Sequence, residues 1–355
     1  MKKLRVHTNK MKIKKEKGNI YNFGLGFLKM FMALDVICVH CLNYKSCVFS
    51  KNIIERLYCK SKRKVHVPSF MIMSFYFMQN SLISLKFKVL FQRIIRLGIP
   101  YFGWPIIVYA FNNYFISKLF KVYEKYSLNQ LKIQLLWGNL YMIQYWFQWD
   151  LIVITVLFFS IIFIFRKNHL FFLQLLAIAS YVAIYSGYNF KIYKTLRQEC
   201  LGRFSELIPY ASTGFTLGTY KIFSHLNKHR IKTIVFSFLI FNLVEDYSIF
   251  LNLKEVAYSD IKYNVRSVSL IFLFSVFPSE YIKNKMLQNI LKLITNYTAG
   301  VFYLHFTVYI YFKNIISSIG KNTFMGCVQI YLVCYIICFI SMKLVGKTIL
   351  KNLFS

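Results

Sequence analysis

The first apolar segment, residues 21–42, contains two side chains that could take part in chemistry, Lys29 and His40. Eleven residues make about three helical turns, so both side chains lie on one helix face, roughly 16 Å apart along the axis. An ionisable group inside a membrane span costs roughly 2.5–3.5 kcal/mol, and such groups are usually functional. We predict that Lys29 binds an anion and that His40 acts as a general base or a transient acyl acceptor. The alternative is that Lys29 snorkels to the interface and His40 hydrogen-bonds a neighbouring helix.

Arg93 and Arg96 form a second candidate group, placed just before an apolar segment. Their i, i+3 spacing puts two guanidinium groups side by side on a helix, and guanidinium forks suit bidentate binding of phosphate. With Lys86 and Lys88 they make a compact basic site that we predict binds phosphate. The alternative is the ordinary basic flank of a membrane span.

Four further residues lie inside or at the edge of apolar segments. Ser74 is placed to hydrogen-bond a neighbouring helix or a substrate. Asp150 is expected to pair with His40 or with a basic group. His305 either lines the same cavity as His40 or is a satisfied core histidine. Trp146 suits stacking on a sugar face, and equally an aromatic belt at the membrane interface.

Other polar patterns are weaker. The pair Glu245–Asp246 is a candidate counter-charge for Lys29 or for a basic loop. The glycines of Gly24–Gly26 lack the third glycine and the preceding strand of a dinucleotide fingerprint. The segment Cys38–Cys41 holds metal-capable side chains but has no second half with ligand spacing, so we predict no metal.

The elements that must position these side chains are apolar segments. The chain has 355 residues, is 57% hydrophobic and has a mean hydropathy of +0.47. Its long apolar runs repeat where a soluble protein would show amphipathic periods. We therefore predict an all-α, polytopic membrane protein with about ten transmembrane helices. The candidate spans are residues 21–42, 66–84, 97–116, 147–165, 170–187, 207–222, 232–251, 265–281, 298–317 and 326–346.

The charge of the chain is strongly basic, with 45 Lys and Arg against 12 Asp and Glu, a formal net charge of +33. The basic residues are spread over nearly every loop, so we exclude nucleic-acid binding and expect anionic lipid head groups as partners. They are densest in the loops that a cytoplasmic N-terminus would place in the cytoplasm. We predict that residues 1–20 are a basic cytoplasmic tail, that residues 21–350 form a single membrane domain, and that both termini are cytoplasmic.

In their order along the chain these elements resemble the membrane acyltransferase-3 family, over about residues 21–345. Lys29 and His40 match the family's basic residue, ten intervening residues and histidine, with lysine in place of the commoner arginine. The segment Val67–Tyr76 resembles its V-P-x-F-F-x-x-S-G-[FY] pattern, with Phe75 where the family usually has glycine. The remaining matches, in chain order, are Arg93, Arg96, Pro100 and Tyr101, then Trp146-Phe147, then Gly214 and Gly218, and last Tyr303-Leu304-His305.

The resemblance implies a single acyltransferase domain of ten or so helices in a bacterial inner or plasma membrane. It implies an acyl-CoA donor on the cytoplasmic side, and a hydroxyl of a cell-surface glycan or its lipid-linked precursor as the acceptor on the far side. We expect acetyl-CoA as the donor, used as a substrate and not held as a permanent cofactor. The alternatives are a glycan flippase or transporter and a glycan polymerase.

The resemblance makes His40 the central catalytic group and Arg93 and Arg96 the donor-binding groups. To these we add Lys29 as a donor-binding candidate. The other candidates are Asp150 and His305 for catalysis, and Ser74, Tyr76, Trp146 and Tyr303 for lining the cavity or binding the acceptor.

Overall fold

The computed structural model describes residues 22–42, 65–116, 125–137, 145–189, 201–277, 284–313 and 323–345. Every regular element in these ranges is helical, which confirms the all-α prediction. The α-helices are α1 (Phe23–Cys41), α2 (His66–Ile83), α3 (Phe87–Phe111), α4 (Leu128–Trp137), α5 (Trp146–Phe165), α6 (His169–Asn189), α7 (Leu201–Thr219), α8 (Ile222–Leu226), α9 (Arg230–Phe250), α10 (Ile261–Ser275), α11 (Lys285–Asn296), α12 (Thr298–Phe312) and α13 (Phe324–Val345). A π-helical turn, Asn112–Ile116, continues α3.

Each of the ten predicted apolar segments overlaps a helix in its described part, but the count of about ten membrane spans is not confirmed. Within the described ranges, four stretches are long and apolar enough to cross a membrane: Phe23–Cys41, Phe87–Phe115, Trp146–Ser186 and Phe324–Leu344. The third stretch has 41 residues and contains both α5 and α6, about twice the ~20 residues of one crossing. The helices α10 and α12 have only 15 residues each, which is shorter than one full crossing needs.

Two glycines of α7 allow that helix to lie against α2. A Cβ atom added to Gly214 would stand 2.1 Å from the carbonyl oxygen of Ile72, and one added to Gly218 would stand 2.9 Å from that of Tyr76. Small residues four apart permit this close approach of backbones in membrane helix pairs. The predicted G-x-x-x-G-like segment is therefore a packing surface, and it fixes α2, which carries His66, Ser74 and Phe77.

Phe75 has a different role from the glycine that it replaces in the family pattern. Its side chain is fully buried, and its ring centroid lies 4.7 Å from that of Phe158 on α5. The ring fills the space between α2 and α5, so these helices are held together by aromatic packing and not by a close backbone contact.

Replacing Gly214 with alanine is expected to destabilise the fold by about 2 kcal/mol or more, because overpacking of a tight interface costs on the order of 1–3 kcal/mol. Thermal unfolding of the purified protein in detergent measures the change. Gly98→Ala on α3 is the matched control, since its added Cβ would meet only carbons of Phe102 at 4.0 Å. Equal unfolding temperatures for the two variants would contradict the packing role.

Candidate active site

His40 and His305 lie together. His40 is in the last turn of α1, and His305 is in the middle of α12. Their rings stack with 5.4 Å between centroids and 30° between planes. The sequence offered His305 either as a cavity group beside His40 or as a core histidine. Its ring contact with His40 favours a shared site.

The orientation of His305 is fixed by the backbone. Its Nδ1 lies 2.7 Å from the carbonyl oxygen of Phe302, and a carbonyl only accepts, so Nδ1 carries the proton and donates. The other nitrogen, Nε2, is then left with a lone pair. It is buried and has no hydrogen-bond partner among the described residues. An imidazole held in one tautomer with an unprotonated nitrogen is arranged as a general base.

A third buried histidine, His66, was not predicted from the sequence as a site residue. Its Nδ1 lies 2.9 Å from Oδ2 of Asp35, and both residues are buried, 2% and 1% exposed. The only signal in the sequence was a histidine directly before Val67-Pro68. The contact between Asp35 and His66 joins α1 to α2.

Removing His66 is expected to destabilise the protein by about 3 kcal/mol or more, because a buried carboxylate that loses its partner costs on the order of 3–5 kcal/mol. Chemical or thermal unfolding of His66→Ala in detergent measures this. The double variant His66→Leu with Asp35→Leu removes both polar partners and should recover much of the loss. A double variant as unstable as His66→Ala would contradict the pairing of His66 with Asp35.

Arg93 is held between two helices. Its Nη2 donates to Oγ of Ser74 on α2 at 2.6 Å, and its Nε donates to Oγ1 of Thr155 on α5 at 3.4 Å. Ser74 therefore bonds a neighbouring helix, one of the two roles that the sequence offered. Arg96, one turn later on α3, is exposed. The predicted arginine pair thus has one anchored and one exposed member.

Two cavities adjoin at these residues. The arginine cavity, of about 370 Å³, is lined by Arg93, Arg96, Gln92 and their neighbours. The lysine cavity, of about 380 Å³, is lined among others by Lys29, Ser74 and Gln148. The linings have four residues in common, which makes the cavities neighbours: Phe77, Leu97, Ala299 and Tyr303.

Lys29 belongs to the lysine cavity. Its Nζ lies 5.0 Å from the ring centroid of Phe77, a cation–π contact. The side chain is only partly exposed. Its ammonium is therefore directed at the space beside α2, where it can meet an anionic or polar substrate group.

Gln148 is a second residue that sequence reasoning did not name. Its Nε2 donates to the carbonyl oxygen of Leu97 and lies 3.2 Å from the Tyr303 hydroxyl. Its Oε1 is buried and has no hydrogen-bond partner among the described residues. Tyr303, predicted as a lining residue, faces both cavities. The two side chains put a hydroxyl and an amide at the junction.

Three predicted site residues lie elsewhere. Asp150 is buried, and its Oδ1 is 3.6 Å from Nη2 of Arg203, so it pairs with a basic group, one of the two partners that the sequence predicted. Trp146 lies below the same guanidinium, 5.7 Å from ring centroid to Cζ. Tyr76 stacks on Phe223 at 4.1 Å. None of the three lines either of the two cavities in the described part of the chain. The side chains of Glu245 and Asp246, and the basic tail 1–20, lie outside the described residues.

A family model described as an acyltransferase domain matches residues 22–343, which is most of the chain. The matched residues include both stacked histidines, Lys29 and the arginine pair. No curated protein and no solved structure shows significant similarity. The chain therefore belongs to the acyltransferase-3 family, as its motifs predicted, and is a membrane acyltransferase.

Proposed function

We propose that the protein transfers an acyl group, most simply acetyl, from acyl-CoA in the cytoplasm to a hydroxyl group on the other side of the membrane. The acceptor is a cell-surface glycan or its lipid-linked precursor. The observation that carries the proposal is a continuous series of contacts from the arginine cavity, through the lysine cavity, to the stacked histidines. Acyl-CoA carries phosphates at one end and a thioester at the other, so its binding site has to extend from a basic region to a catalytic one.

The donor end of the series is basic. In the proposal Arg93 and Arg96 bind the phosphates of CoA, because guanidinium groups bind phosphate through paired N–H donors. The pantetheine arm occupies the lysine cavity. There Gln148 offers an acceptor oxygen and Ser74 a hydroxyl to the amides of the arm, and Lys29 adds a positive charge at its side.

The reactive end is the histidine pair. Phe302 lines the lysine cavity, and its ring centroid lies 6.1 Å from that of His305. In the proposal Nε2 of His305, with His40 stacked on the ring, takes the proton of the acceptor hydroxyl. The hydroxyl oxygen attacks the thioester carbonyl, the carbon–sulfur bond breaks, and the thiolate of CoA accepts a proton. General-base catalysis contributes about 10²–10⁴-fold, and positioning in a dry site supplies further acceleration.

In the proposal the membrane arrangement is the one that the charge pattern favours. With the N-terminus of α1 in the cytoplasm, Lys29 lies nearer the cytoplasmic side than His40. The donor then enters from the cytoplasm, and the acceptor approaches His40 from the other side. A bacterial plasma membrane with both termini cytoplasmic suits this arrangement, because basic loops favour the inner side.

The experiment uses cells that express the protein and are fed labelled acetate. Label in alkali-labile esters of the envelope glycan should rise above that of cells with an empty vector, and should fall back in His40→Ala. Label that rises equally with His40→Ala would contradict the proposal. A flippase or transporter would instead move a glycan intermediate across sealed vesicles in the absence of acetyl-CoA.

A further inference from the structure

Three phenylalanines form a closed aromatic group on three different helices. Phe70 is on α2, Phe147 on α5 and Phe302 on α12. Their ring centroids are 6.4 Å apart for Phe70 and Phe147, 6.2 Å for Phe70 and Phe302, and 6.0 Å for Phe147 and Phe302. We call this set the aromatic triangle. Each side chain lines the lysine cavity.

One member of the aromatic triangle, Phe302, joins the wall of the lysine cavity to the histidines. Phe302 contacts the ring of His305, which stacks on His40. Neither histidine lines the lysine cavity, although the donor in the proposed function must bring its thioester to them. A thioester that reaches the histidines from the lysine cavity therefore passes along Phe302, which packs on Phe70 and Phe147.

We propose that the aromatic triangle selects short acyl groups. This inference rests on the proposed function and names its donor class: acyl-CoA with a chain of about two carbons. Rings about 6 Å apart are in mutual contact, so the cavity wall beside Phe302 is closely packed and has little room for carbons beyond the acetyl methyl. Each methylene that an apolar pocket cannot accommodate weakens binding on the order of tenfold or more. A longer acyl chain has to displace a ring, whereas an acetyl group does not.

The test measures binding, which needs no acceptor. Wild-type protein in lipid nanodiscs is incubated with labelled acetyl-CoA and competed with unlabelled acetyl-, butyryl- and hexanoyl-CoA. We expect hexanoyl-CoA to compete at least about tenfold less well than acetyl-CoA. In Phe302→Ala and in Phe70→Ala that ratio should fall to about threefold or less, because the vacated ring volume admits the longer chain.

Phe158→Ala is the matched control, because Phe158 is a buried phenylalanine that packs on Phe75 and Phe215 and lies outside the lysine cavity. Its ratio should stay at the wild-type value. Phe302→Leu, which removes less volume, should give an intermediate ratio, and it replaces the alanine variant if that variant does not fold.

An unchanged ratio in the folded Phe302 and Phe70 variants, or a wild type that binds all three donors equally, overturns the inference and leaves the proposed function standing. A wild type that binds no acyl-CoA overturns both.

A different observation concerns α11, which the sequence did not single out. At 100° per residue its apolar side chains all fall within an arc of about 160° and its polar ones occupy the opposite face. None of its twelve residues is buried. The apolar face is exposed, with Met286 72%, Leu287 46%, Ile290 41% and Leu293 38% accessible. Its charged residues are Lys285 and Lys292, without an acidic one.

We infer that α11 lies in the plane of the membrane interface and binds anionic phospholipids at the entrance of the lysine cavity. An amphipathic helix with lysines on its polar face has this preference. Its last residues, Thr295 and Asn296, line the lysine cavity, and α12 starts at Thr298. The helix therefore connects the lipid surface with the donor path.

The test uses single cysteines with a fluorescent label, in nanodiscs that contain brominated phosphatidylglycerol, after serine replaces Cys47, Cys59 and Cys200. Labels at Leu287 and Ile290 should be quenched strongly, and labels at Lys285 and Asn289 weakly. Phosphatidylglycerol should also raise the unfolding temperature of the wild type more than that of Lys285→Gln with Lys292→Gln. Quenching that does not depend on the helix face, or equal stabilisation of both proteins, overturns the inference.

Discussion

Acyl transfer is expected to fall about 10²–10⁴-fold when either His40 or His305 is replaced by alanine, which is the range that general acid–base catalysis contributes. The two rings stack at 5.4 Å, so they act as a unit. The double variant should therefore lose little more than the worse single variant. The rate of CoA thiol release in the presence of acceptor membranes measures each variant.

His229→Ala is the control for this experiment, because His229 is exposed and distant in sequence from the site. It should retain the wild-type rate. A His305→Ala enzyme with a rate close to wild type would remove His305 from the mechanism. Losses that multiply in the double variant would show that the two histidines serve separate steps.

Donor binding is expected to weaken about tenfold or more in Arg96→Ala, with the maximal rate little changed. A hydrogen bond to a charged group is worth about 1.5–3 kcal/mol, and a contact made equally in the ground and transition states affects KM and not kcat. Arg96 is exposed at the cavity wall, so its removal should leave the fold intact.

Arg93 should behave differently from Arg96. Its guanidinium also joins α2 to α5 through Ser74 and Thr155. Arg93→Ala should weaken donor binding and lower the unfolding temperature, and Arg93→Lys should recover little, because an ammonium lacks the planar fork. The control Lys228→Ala removes an exposed charge on another loop and should change neither. An Arg93 and Arg96 double variant with wild-type affinity for acetyl-CoA would contradict the phosphate site.

The sequence predicted the chemistry-bearing residues better than their partners. Lys29 and Arg93 follow from their types and spacing and Tyr303 follows from the family resemblance, and the structure brings all three to adjoining cavities. His66 and Gln148 were missed, because a single polar residue in an apolar segment acquires meaning only from the helix that packs beside it. The same limit explains Tyr76, which faces Phe223 although it lies two residues after Ser74.

The helices were predicted from apolar runs, and each run overlaps a helix in its described part. The number of spans was not predictable in the same way, because hydropathy records composition while crossing depends on length and packing. The helix α10 illustrates this, since it is short and buries Arg266. The amphipathic α11 lies outside the predicted spans, because its apolar residues are interrupted by polar ones at helical spacing.

The central claim is transfer across the membrane with His40 at the reacting end. The most direct measurement uses sealed vesicles in which labelled acetyl-CoA is supplied only on the face that carries Arg93 and Arg96, with the acceptor glycan only on the other face. The account predicts that labelled ester forms on the acceptor in wild-type vesicles and not in His40→Ala vesicles. Ester formation only when donor and acceptor share one side, or equal ester in His40→Ala vesicles, would contradict it.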